Sequence, residues 1–228
     1  MNEAGSNSGQ SSGTGRGRLA GILLAAGALI MLAFMAMHPA IHSHHPDEFF
    51  EEMKRKSLLS AVVNGSLIAD MVLVLIGLLG LVDGLRWRSV LARAGLISYS
   101  LGMIGHTAAA TINGFVISGL TALYARHGTE ALASLTPLLA LCREGNGAAA
   151  RLGVFAMSAA IAIWSLALLR RPGATRAVGV LGLLCGIALP IAMALGHLPM
   201  DVHGFTLRII VQSVWYLAVA VQLIRGRL

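Results

Sequence analysis

Residues 16–45, RGRLAGILLAAGALIMLAFMAMHPAIHSHH, set two arginines before an unbroken apolar run from Leu19 to Met37 and four histidines after it. A helix needs about 20 apolar residues to cross the roughly 30 Å hydrocarbon core of a bilayer. The run is longer than the apolar core of about 7 to 15 residues found in a cleaved signal peptide, so it reads as a retained first span. Its polarity, arginine before and histidine after, recurs along the chain. Arg86, Arg88, Arg170, Arg171, Arg176, Arg225 and Arg227 flank one set of apolar ends, and His38, His42, His44, His45, His127, His197 and His203 flank the other. Loop Lys and Arg stay on the cytoplasmic side, so this segregation orients the protein.

Composition agrees with that reading. Of the 228 residues, 56% are hydrophobic and 12% charged, with a mean hydropathy of +0.76; soluble domains carry about 25% charged residues. The chain reads as an integral membrane protein of one domain whose partner is the lipid bilayer. A formal charge of +7 could suggest nucleic acid, but the arginines sit in short loops beside apolar segments, where orientation accounts for them. Cys142 and Cys185 form no disulfide framework and no CxxC motif.

Residues 1–15 are rich in Gly and Ser and read as a disordered cytoplasmic tail. Residues 16–228 form the membrane domain, expected to be all-α with six spans near 19–37, 57–82, 96–124, 148–169, 177–196 and 205–224. Each loop assigned to the cytoplasm holds at least two arginines. An even number of spans puts both termini in the cytoplasm of a bacterial-type inner membrane. The stretch 129–142, short and interrupted by Pro137, reads as a helix lying at the outer interface between spans three and four. Lys54, Arg55 and Lys56 are the local exception, basic residues on the outer side, in a linker that reads as an amphipathic helix leading into span two. The two halves show no convincing self-similarity.

Two outer loops, MHPAIHSHHPDEFFEE and GHLPMDVHG, supply the candidate ligands. His38 and His42 stand at i and i+4, and His197 and His203 bracket a turn with Pro199 and Asp201. Imidazoles so spaced suit Zn or Cu, and these four are the candidate metal ligands. Haem ligated by the same outer histidines is the alternative cofactor.

Deeper in, Asp70 and His106 fall near the middle of spans two and three. They are expected to face each other as a proton relay or interhelical clamp, with Asn113, Asn64, Thr107 and Thr111 extending a polar seam. Arg208, near the outer start of span six, reads as an anchor that snorkels to the surface or pairs with Asp201. No P-loop, nucleophile elbow or paired-carboxylate pattern is present.

The expected function is therefore non-enzymatic: an inner-membrane protein that binds or moves a transition-metal ion. A haem-binding redox protein and a structural or assembly protein without a catalytic site are the alternatives. Self-association stays open.

Overall fold

A computed structural model describes residues 10–41, 43, 45–197 and 202–228, and among these every regular element is helical. The elements are α1 (Gln10–Ala36), α2 (Pro46–Gly84), α3 (Val90–Thr111), a π turn (Ile112–Val116), α4 (Ile117–His127), a 3-10 turn (Gly128–Ala131), α5 (Leu132–Leu168), α6 (Ala174–Ala194) and α7 (Val202–Ile224). Among the described residues, five helices are long and apolar enough to cross a membrane: Gly15–Ala36, Pro46–Gly84, Val90–Leu168, Ala174–Ala194 and Gly204–Ile224. The third is unbroken in helical character but folds back at Gly128, where φ is +61°, so α3 and α5 pack antiparallel.

Neighbours close into a ring in the order α1, α2, α3, α5, α6, α7 and back to α1. Side chains turned away from the ring are apolar, Ile97 at 71% exposure and Ile104 at 65% among them. Such an exterior suits lipid, while polar residues such as Ser158, Ser165, Gln212 and Ser213 lie inside. Aromatic rings fill the centre: Trp164 and Trp215 stack in parallel with centroids 6.3 Å apart, flanked by Tyr99 and Tyr216. Trp164 Nε1 donates to the Ala92 carbonyl at 3.1 Å, which satisfies the indole in an apolar core.

Lipid gives helices no hydrophobic reason to associate, so small residues and close packing must hold the bundle. Gly105 shows how close: a Cβ there would stand 2.7 Å from both the Ala149 carbonyl and the Gly153 nitrogen on α5.

The helices differ in height. At 1.5 Å rise per residue, α2, the α3–α4 rod and α5 are each about 55–58 Å long, well beyond a bilayer core, while α1, α6 and α7 are nearer membrane thickness. The surplus stands at the histidine end. There Phe49, Phe50 and Met53 of α2, Ile117 and Tyr124 of α4, and Leu135 and Leu139 of α5 bury a second apolar core. Phe50 stacks on Tyr124 with centroids 5.1 Å apart.

This cap explains two differences from the sequence reading. The stretch 129–142, expected as a separate interfacial helix, continues into α5: burial of Leu135 and Leu139 offsets the backbone bond that Pro137 removes, and the helix runs through Gly145–Asn146–Gly147 unbroken. Lys56 has a structural task on the histidine end. Its Nζ donates to the Ala40 carbonyl at 2.7 Å and pairs with Glu52 at 2.6 Å, while Ser43 Oγ donates to Glu52 at 2.9 Å, tying the linker down on α2. At the other pole, Arg171 donates to the Gly84 carbonyl at 2.9 Å, closing the end of α2 with a cation where the helix dipole is negative. Helix α1 starts at Gln10, within the stretch read as tail; residues 1–9 lie outside the described residues.

Candidate ligand cavity

Between the membrane core and the cap lies a cavity of about 540 Å³ that opens to the exterior. Its size falls in the usual range for small-molecule sites, about 300–1,000 Å³. One wall is apolar, with Met35, Met53, Leu67, Met71, Ala109 and Ala110. The polar groups are His38, Ser43, Ser60, Asn64, His106, Asn113, Asn146 and Arg143, and among the described residues no carboxylate lines the space.

His38 stands just past the end of α1. Asn113 Nδ2 lies 3.4 Å from His38 Nε2. An amide NH2 only donates, so in this arrangement the imidazole accepts through Nε2 and is neutral, its proton on Nδ1. Nδ1 is buried without a side-chain partner. Burial lowers the pKa of His38 below the ordinary 6.5, against a weaker upward pull from the Pro39 backbone.

The π turn places Asn113. Its wider winding loosens the backbone ladder, and Ser60 Oγ on α2 reaches the Asn113 carbonyl at 3.5 Å. Asn64 donates to the Ser60 carbonyl at 2.8 Å and packs against Gly114, where a Cβ would stand 2.6 Å from its own. At the mouth, the Arg143 guanidinium lies 4.5 Å over the ring of Phe49, a cation–π contact that holds the charge on the rim.

His106 forms the floor. Its ring lies against Gly153 on α5 and meets Phe205 of α7 edge-on at 5.5 Å. Neither ring nitrogen has a hydrogen-bond partner. Asp70 is buried, also without a partner for either oxygen, and its Oδ1 faces α1 at Gly27. No hydrogen bond or ion pair joins Asp70 to His106, and Asn113 is engaged with His38.

The outer histidines are only partly in view. His197 is exposed at the end of α6; His42 lies outside the described residues, as does the side chain of His203 in the first turn of α7. Among the described residues, no group of three or more His, Cys, Asp and Glu side chains is placed to hold a metal ion.

Arg208 corrects an expectation. It does not snorkel: at 3% exposure it points into the bundle and bonds Gln212 Oε1 at 3.2 and 3.3 Å. The visible signal was Arg208 and Gln212 at i and i+4 on one face of an apolar helix. Arg143 and Asn146 also went unread; both lie in REGN, a polar interruption between apolar stretches.

Compared with protein-family models, with curated proteins and with solved structures, the chain matches none.

Proposed function

We propose that this chain is a six-span protein of a bacterial-type inner membrane, both termini in the cytoplasm, whose cavity receives a small organic molecule from the outer side. The fold-back at Gly128 supports counting Val90–Leu168 as two crossings, and the arginine end supports the orientation. One observation carries the ligand reading: a cavity of about 540 Å³ that joins methionine and alanine walls to amides and imidazoles, with, among the described residues, one lining cation and no lining carboxylate. Such a lining suits a neutral or singly anionic amphipathic molecule. Its apolar body would rest on Met35, Met53 and Met71, its acceptors on Asn64, Asn146 and Arg143. Binding, and release toward either side, is the activity.

The transition-metal reading keeps a narrower basis, the His38 imidazole near the thioethers of Met35 and Met53, donors that suit Cu(I).

Single cysteines at Asn113, Asn146 and Arg176, in a chain with Cys142 and Cys185 changed to Ser, test the main reading. In intact cells a membrane-impermeant maleimide should modify positions 113 and 146 but not 176. Labelling of 176 and sparing of the other two would overturn the orientation. Native mass spectrometry of the purified protein should show a retained small molecule that Ala110→Phe expels; retention unchanged by Ala110→Phe would remove the cavity site. Elemental analysis and an absorbance scan of the same sample read zinc, copper and haem.

A further inference from the structure

Beneath Phe205 a second void, about 30 Å³, lies against Tyr99, His106, Arg208, Gln212 and Tyr216. Arg208 brings a positive charge there that pairs with no acidic side chain among the described residues; Asp201 lies outside them. Its Nε and Nη2 both donate to Gln212 Oε1, Nη2 also lies 4.0 Å from Met157 Sδ, and Nη1 has no partner. The ring of Phe205 covers the guanidinium at 4.6 Å.

Counting protons defines the site. The Gln212 oxygen is committed to Arg208, so the amide offers only its Nε2 hydrogens, which are unpartnered. Arg208 Nη1 is a donor with no acceptor. His106 carries at least one N–H and has neither nitrogen engaged. Tyr99 and Tyr216 add two hydroxyls, neither of them among the unpartnered buried atoms. What remains around the void is therefore mostly N–H. Asp70, the acidic side chain buried in this part of the bundle, faces Gly27 of α1 and makes no ion pair with Arg208.

A buried charge without a counter-charge is costly in a low-dielectric interior. A water needs about 10–15 Å³ of such space, so this void of about 30 Å³ admits a water or a small ion. A water would find few acceptors for its own protons, whereas an anion needs only donors.

We propose that this void binds one monovalent anion of halide size, held by Arg208 Nη1, Gln212 Nε2 and an N–H of His106. The site adjoins the larger cavity, with which it shares Leu67, Met71, His106 and Phe205, and its donors Arg208 and Gln212 line the void alone.

The test is thermal unfolding of the full-length protein in detergent, in sodium chloride, bromide or gluconate at equal ionic strength. Chloride and bromide should raise Tm saturably, by about 5 °C near a hundredfold excess over Kd, while gluconate, too large for the void, should not. Gln212→Glu sets a carboxylate beside the guanidinium. In gluconate it should match the halide-saturated wild type and show no halide response. Arg208→Gln should also lose the response, and if that variant does not fold, Gln212→Glu decides alone. A wild-type Tm indifferent to halide, or a Gln212→Glu variant with the full wild-type response, would overturn the proposal.

Discussion

The imidazole of His106 lies over the α-carbon of Gly153, so close that a Cβ at 153 would collide with its Nδ1, Cε1 and Cγ. The cavity floor is thus set by a missing side chain on the opposite helix.

Gly153→Ala should destabilise the protein by about 1–3 kcal/mol, the usual range for overpacking a fitted site. His106→Ala removes the obstructing ring, so the double variant should regain most of that loss. Unfolding of the two single variants and the double variant measures the coupling. Simple additivity would mean that the ring steps aside freely.

His38 sets the acid sensitivity of the cavity mouth. Its folded-state pKa lies below 6.5, so once pH falls under 6.5 an unfolded or opened His38 takes up a proton that the native ring resists. This group's stabilisation is complete above pH 6.5 and declines as pH drops toward the lowered native pKa. Hydrogen exchange of the linker and cap, once divided by the intrinsic amide rate at each pH, should accelerate from pH 7.5 to 5.5. The His38→Asn variant should lose that component; an equal acceleration in the variant would assign it elsewhere.

Asp70 is buried without a hydrogen-bond partner, so its carboxyl contributes desolvation cost and no bond. Asp70→Asn should leave Tm equal to wild type or raise it. A fall of several degrees would show that the carboxylate has a bound partner, such as an ordered water.

Phe50 anchors the cap and leaves the membrane core alone. Phe50→Ala should cost the cap about 3–5 kcal/mol, the range for deleting a buried phenyl group. Maleimide labelling of a cysteine at 113 should speed up at least tenfold, while the fluorescence of buried Trp164 and Trp215 stays unchanged. A shift in that fluorescence would mean that the two cores unfold as one.

Membrane-length helices were legible because length and apolarity are local properties: the Leu19 to Met37 run and the RRPG turn at 170–173 needed no tertiary information. Helix rotation was not. When lipid and core are both apolar, a helix such as α7 has no broad polar face to betray its inner side, so Arg208 read as a surface anchor. Continuity was also hidden. Gly145–Asn146–Gly147 has the composition of a turn, yet the helix persists because the residues before it are buried against α2 and α4. At the site, Asn64, His106 and Asn113 stood out as polar groups in apolar spans. Their sorting, Asn113 to His38 and His106 to Gly153, depends on the π turn and on helix spacing, which no short motif encodes.

The π turn at Ile112–Val116 has a further meaning for how the molecule can change over time. One residue of α-helix is about 100° of rotation, so a single insertion or deletion there would swing Tyr124 away from Phe50 while leaving His106 where it is. The rod is a spliced shaft: its lower part keeps register with the bundle and its upper part with the cap. A lineage carrying this fold can therefore re-aim the cap by single-residue indels at the splice, altering what reaches the cavity without disturbing the bundle beneath.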